Sequence, residues 1–249
     1  MQAAEELTRG AREIGLEINE NKTKFMIMST SEERRQTQNL IIGGKIFKGT
    51  NSYTYLGNEI NNKCEVHESI NKQIQNGNKA VFANNRLLKS KLISRNCKMQ
   101  IYKTLIRPVI TYGSETWVLS NKDENILKCF EYRVLRRIFG AIYENNTWRK
   151  GYNHELERLI KGENILRFIK AKRIQWMGHV QRMKETDMCK KIMNGKLYSN
   201  RKRGRPKLRW IDQVEEDLEK MKVKNWKKKS GERVTWNSIV EKAKAHQGL

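Results

Sequence analysis

The sequence is short of several things. None of its apolar runs approaches the roughly 20 residues that a membrane-crossing helix needs, so no bilayer span is expected. It does not open on a basic segment followed by an apolar core, so no secretory leader is expected. Its four cysteines, Cys64, Cys97, Cys129 and Cys189, are too few and too scattered for a disulfide framework. A reducing intracellular setting, cytoplasm and nucleus, is expected. Acidic residues are scarce too: 27 Asp and Glu stand against 51 Lys and Arg, a formal net charge of +24. A surplus of this size points to nucleic acid ahead of an anionic membrane surface. Apolar residues make up 37% of the 249 and mean hydropathy is −0.81, so the core is modest. There is still too much Ile, Leu, Val and Trp for a wholly disordered chain.

What charge there is lies unevenly. Residues 1–60 hold eight basic and eight acidic residues and are neutral, while the other 189 carry the whole surplus and all six tryptophans. Length alone allows one large or two small domains. The expected organisation is a small neutral segment over 1–62, a helical one over 63–145 and a basic helical one over 146–249, with a basic linker near 199–207.

Ala3, Leu7, Ala11 and Ile14 fall on one stripe, which predicts an amphipathic helix stopped by Gly15. Lys24 to Ser29 predicts a short, well-buried strand. Asn39 to Phe47 carries two apolar runs about Gly43-Gly44, the signal of a two-residue hairpin. Ser52 to Ile60 predicts one further strand. The expected fold class is therefore α+β at the start (helix, strand, β-hairpin, strand) and mainly α after it. Ile70, Ile74, Val81, Leu88 and Leu92 form a core-facing helical stripe interrupted by Gly77. A helix over 99–106 is broken or kinked by Pro108. Another over 124–139 turns Arg133, Arg136 and Arg137 outward and ends at Gly140. Further helices are expected over 154–169, 172–183 and 208–223, with fraying in the very basic stretch after Lys224.

Several segments resemble one family in order. Gly15-Leu16-Glu17-Ile18-Asn19-Glu20-Asn21-Lys22-Thr23-Lys24-Phe25-Met26 is similar to motif D of the reverse transcriptases of non-LTR (LINE-type) retrotransposons. Tyr53-Thr54-Tyr55-Leu56-Gly57 resembles the strand by that family's primer grip, and Ile101 to Trp117, with Ile106-Arg107-Pro108 at its centre, its thumb signature. Arg173 to Met183, containing Gln175-Trp176-Met177-Gly178-His179, and Arg203-Gly204-Arg205-Pro206-Lys207-Leu208-Arg209-Trp210 resemble its C-terminal segment. The matches span roughly residues 1 to 220. The resemblance implies a partial palm over 1–62, a thumb over 63–145 and a basic C-terminal region over 146–249. It also implies palm strands without sheet neighbours, hence adhesive edges.

Such polymerases hold two Mg²⁺ ions on palm aspartates, which clamp the attacking and leaving oxygens. The family carries them upstream of the motif D helix and in an earlier strand. The aspartates here are Asp123, Asp187, Asp212 and Asp217, none adjacent to another. No polymerase activity is expected of this chain alone and no cofactor within it, Mg²⁺ belonging to a complete polymerase. No catalytic residue is assigned. Lys22 matches the motif D lysine, which the resemblance places near the phosphates of an incoming nucleotide as a proton donor; without those partners it is an exposed turn lysine.

Nucleic-acid contact is expected from other cations. Arg86, Lys89, Lys91, Arg95 and Lys98 cluster about a helix–turn–helix junction and suit a phosphate backbone, as do Lys22 and Lys24. Arg201, Lys202, Arg203, Arg205, Lys207 and Arg209 form a basic run about Gly204 and Pro206. That run has the core of a minor-groove-binding hook and the composition of a nuclear import signal. Trp176 and Trp210 are expected in the core. Cys64-x-x-His67 has no second ligand pair, so no zinc site is expected. The expected partners are RNA or DNA. The function expected is that of a reverse transcriptase fragment retaining a basic nucleic-acid-binding thumb and tail. The alternatives are an autonomous DNA- or RNA-binding protein, a remnant without function, or a subunit completed by an aspartate-bearing partner.

Overall fold

The computed structural model describes residues 2–29, 31–35, 37–63, 65–160, 162–195 and 209–249. These divide into two units, Met1–Lys72 and Gln73–Leu249. The fold is α+β, with the strands concentrated in the first unit and helices dominating the second.

In the first unit, α1 (Gln2–Glu13) leads to Gly15, whose φ of 74° ends the helix. On the expected apolar stripe Leu7 is 66% exposed and Ile14, just past the helix, 72%, while Ala11 is partly covered. β1 (Lys24–Phe25) is only two residues long. The expected buried strand through Ser29 does not form, and Ile27 and Met28 face solvent. β2 (Leu40–Ile42) and β3 (Lys45–Gly49) pair antiparallel around Gly43 and Gly44. Both glycines have positive φ, 56° and 80°, as a two-residue turn of this hand requires. β1 adds parallel to β3, giving the order β1-β3-β2. Ile42 and Phe47 are the buried side chains of this sheet. The single strand expected over 52–60 is a hairpin, β4 (Ser52–Tyr55) and β5 (Asn58–Asn61). Leu56 and Gly57 both take positive φ at its turn, so the Leu expected within a strand stands at the reversal.

α2 (His67–Ala83) runs through Gly77 without interruption. A Cβ at Gly77 would lie 2.4 Å from Ile110 Cγ1, so this glycine allows close helix packing rather than a break. α3 (Asn85–Lys89) and α4 (Arg95–Ile101) flank a short turn. Leu92, expected in the core, lies in that turn and is 98% exposed. Pro108 does not break the next helix. A π-helical turn over Tyr102–Ile106 precedes α5 (Arg107–Ile110), and the proline sits in the first turn of α5, where its missing N–H is tolerated.

α6 (Asn121–Phe139) begins at a reciprocal Ser120–Asp123 cap and ends at Gly140, φ 80°. Leu127, Phe130, Val134, Leu135 and Ile138 are its buried face. A hairpin that the periodicity did not show follows: β6 (Ile142–Glu144) and β7 (Thr147–Arg149), joined by Asn145 and Asn146 at positive φ. α7 (Asn153–Ile160) and α8 (Ile165–Gln181) divide near Gly162, not within 170–171. Asn164 sets that boundary by accepting from the Arg167 N–H at 2.9 Å. The buried Glu131 carboxylate reinforces it, taking the Ile165 N–H at 3.0 Å and the Tyr102 hydroxyl at 2.7 Å. Burial nonetheless pushes this carboxyl above its ordinary pKa.

α9 (Met188–Asn194) and α10 (Trp210–Lys220) follow. The stretch after Lys224 does not fray. It forms α11 (Trp226–Gly231) and α12 (Arg233–Ala245). Trp236 is fully buried in a cluster with Ile174, Met177, Val214, Leu218 and Val240. Its indole N–H donates to the Ile174 carbonyl at 2.9 Å, over Gly178, where a Cβ would meet the ring at 2.0 Å. Hydrophobic anchoring thus overrides the high charge of this segment. Among the described residues no helix is long and apolar enough to cross a membrane.

Candidate nucleic-acid interface

The two units differ in charge. Met1–Lys72 holds ten basic and ten acidic residues, whereas residues 73–249 hold 41 basic and 17 acidic ones. Interior ion pairs use several of those acids. Arg173 bonds Asp217 at 2.6 Å and Gln213 at 2.6 Å, and Gln213 in turn donates to the Leu119 carbonyl. Arg107 pairs with Glu163 at 2.8 Å and lies over the Phe168 ring. Lys170 lies between Glu124 and Asp217. Acids held inside this way do not offset the exposed cations.

Lys22 and Lys24 are both exposed. The segment before β1 makes a turn in which Asn19 Oδ1 accepts from the Lys22 N–H at 3.1 Å. Glu17, bonded to Lys45 at 2.6 Å, and Glu20, which takes the Ile46 N–H at 2.6 Å, fasten that turn to β3. Arg86 and Lys89 project from α3, Lys91 from the turn and Arg95 from the start of α4, all exposed. Ser94 caps α4 by accepting from the Cys97 N–H at 3.2 Å. Lys98 departs from expectation: it is 8% exposed, on the packed side of α4, and is not a surface contact. Arg201, Lys202, Arg203, Arg205 and Lys207 lie outside the described residues, as does Cys64. Arg209 is exposed just before α10.

An arrangement that was not anticipated lies between α8 and α12. A cleft of about 510 Å³ is lined on the α8 side by Lys172, Gln175, Trp176, His179 and Arg182, and on the α12 side by Arg233 and Asn237. Glu115 completes it. Trp176 is partly exposed here, not a core residue as expected, and His179 tilts against it at 5.2 Å between ring centroids. Trp210 is partly buried, its N–H donated to the Glu115 carbonyl at 2.8 Å. The α8 lining recurs at helical spacing opposite Ile174, Met177 and Val180, which are buried. That second, polar-aromatic face was the available signal.

The four aspartates all serve helix ends or ion pairs: Asp123 in the α6 cap, Asp187 and Asp212 at the starts of α9 and α10, and Asp217 on Arg173. Among the described residues no three His, Cys, Asp or Glu side chains converge as a metal site. These residues do not fit a two-metal polymerase centre, and no step through Mg²⁺ follows from them.

The chain is similar to an uncharacterised transposon-derived protein of Caenorhabditis elegans. The two are 22% identical over 245 residues, which is 96% of this chain and 84% of that protein. The similarity therefore runs across both units rather than along one motif. No family model matches the chain. No solved structure matches it either.

Proposed function

We propose that this chain is a transposon-derived fragment of a non-LTR reverse transcriptase that binds RNA or DNA through its helical unit and does not polymerise by itself. The observation that carries the reading is that the whole +24 surplus resides in residues 73–249, where buried acids are committed to buried cations. Phosphate binding by such a surface gains from counterion release, each neutralised phosphate adding to the salt dependence. Two further supports are the ordered motifs from Gly15 to Trp210 and the transposon-derived relative. The exposed cations Arg86, Lys89, Lys91 and Arg95 are the phosphate contacts in this reading, with Lys22, Lys24 and the 201–209 run as further candidates. In an intact polymerase they would track the template–primer duplex. In the cell the chain would lie in nucleus and cytoplasm.

The test is binding of the purified chain to duplex and single-stranded probes over a series of salt concentrations. Log affinity should fall linearly with log salt, with a slope of about −0.7 to −0.9 per phosphate contacted. A flat dependence rejects the reading. Primer extension with Mg²⁺ should give no incorporation; incorporation by the chain alone would reject the non-catalytic part.

A further inference from the structure

We infer that the α8–α12 cleft is a site for an unpaired nucleotide, with Trp176 as the stacking platform and Lys172, Arg182 and Arg233 as its phosphate clamp. This rests on the nucleic-acid-binding reading above and assigns to it a place and a strand state. The cleft has the volume of sites that enclose small organic groups. A duplex keeps its base faces stacked inside, so only an unpaired base can lie on an aromatic ring at such a site. Its lining combines the parts that single-strand binding uses: an accessible aromatic ring, cations and amide edges. Trp176 supplies the ring. Lys172 and Arg182 on α8 and Arg233 across the gap on α12 supply charge from both walls. Gln175 and Asn237, also on opposite walls, can each donate and accept at a base edge. The Glu115 carboxylate opposes an anion, but three permanent cations outweigh it, and it can accept from a base amino group.

The walls are held apart at a fixed width. Trp236 reaches from α12 to the Ile174 carbonyl of α8 at 2.9 Å, and its ring rests on Gly178. Arg182 uses Nη1 to hold the Ser230 carbonyl at 2.8 Å, which fixes its guanidinium at one end of the cleft. His179 tilts against Trp176, 5.2 Å between ring centroids. A site held in its working geometry before the ligand arrives loses less entropy on binding. The cations assigned at 86–95 include no aromatic ring, which suits them to backbone contact and leaves base contact to the cleft.

The experiment compares the full chain with W176A, W176F, K172Q and R233Q, each checked for unchanged thermal melting. The probes are an oligo(dT) strand and a duplex of the same length. W176A should weaken oligo(dT) binding about 5- to 150-fold, the range of one lost stacking contact, and leave duplex binding within about 2-fold. W176F should restore most of the loss. K172Q and R233Q should each reduce the single-strand salt slope by about one phosphate equivalent. Equal losses on both probes, or none on oligo(dT), overturn the cleft assignment while leaving general binding intact. Salt-independent or absent binding by the unsubstituted chain overturns the function proposed above and this site with it. If W176A melts early, K172Q and R233Q, which alter exposed or half-exposed side chains, still decide the matter.

Discussion

Met1–Lys72 and Gln73–Leu249 both carry amphipathic patterns, yet they use them differently. In the first unit the described buried apolar side chains are Ile42, Phe47 and Ile70, while Leu7, Ile14, Leu16, Ile41 and Leu56 are each more than 60% exposed. In the second, Leu127, Leu135, Ile165, Ile174, Met177 and Trp236 are completely enclosed. The first is electrically neutral and the second holds the entire surplus. Periodicity reports that a face could be buried, not that anything covers it. Charge reports on partners, not on folding: the basic stretch after Lys224 ends in the helix whose Trp236 is buried in the core of the second unit.

The contrast is broken most severely by removing that anchor. Trp236→Ala should cost about 3–5 kcal/mol, read as a shift of the chemical-denaturation midpoint. Gly178→Ala attacks the same contact from the other side, because its Cβ would overlap the indole. It should cost about 1–3 kcal/mol from overpacking. If either is neutral, α12 is not what holds α8.

Next in size is the interior ion pair. Arg173→Met leaves the buried Asp217 with only Lys170, at 3.7 Å, and should cost up to about 3 kcal/mol, the low end for breaking a buried pair because one cation remains. The double variant Arg173→Met with Asp217→Leu should recover most of it, since no charge is then left unpaired. Failure of the double variant to recover would mean that the hydrogen bond from Arg173 to Gln213, and through it to Leu119, matters more than the charge. In the first unit, by contrast, Leu7→Ser and Ile14→Ser should alter stability by less than about 0.5 kcal/mol. Their expected effect is reduced self-association, measured by light scattering, because they interrupt an exposed apolar stripe.

How much of this was legible follows from how local each cause is. The Gly43-Gly44 hairpin and the stop at Gly140 could be read because turn chemistry acts within a few residues, whereas the helix expected from 124 starts at Asn121, behind a Ser120–Asp123 cap that was equally local and not read. The 145–146 turn was equally local, but its Asn-Asn pair lacks the glycine that usually advertises it. The boundary of α8 was only half legible: the Asn164 cap is local and was missed, whereas the Glu131 carboxylate that receives the Ile165 N–H comes from another helix. Gly77 and Gly178 looked like breaks or motif letters, and only their distant neighbours Ile110 and Trp236 show them to be contact glycines. Among the candidate site residues, the exposure of Arg86, Lys89, Lys91 and Arg95 could be read from their types. The burial of Lys98 depended on which face of α4 packs. The cleft depended on α12, a helix expected to fray.

The smallest effect lies at the edge of the second unit, where a surface latch separates pairing from burial. Arg149 of β7 is held by Glu144 of its own hairpin and by Glu155 of α7, the latter at 2.7 Å. The Arg149 guanidinium, and then the Tyr152 N–H, pull the Glu155 carboxyl down from 4.5 to about 2. A lowered carboxylate pKa stabilises the folded form above the unfolded value, and that contribution is lost as pH falls from about 4.5 towards 2. The hairpin should therefore loosen from α7 in that window. The exposed Trp148, 5.0 Å from Tyr143, offers a local fluorescence reporter of it. Because the latch is solvent-exposed, global stability should change little, and Glu155→Gln should remove the pH-dependent signal without moving the main denaturation midpoint. Glu131, buried and shifted upward, works in the opposite sense: its contribution is present at low pH and lost as pH rises through its elevated pKa. An acid-induced change that survives Glu155→Gln would place the titrating group elsewhere than this latch.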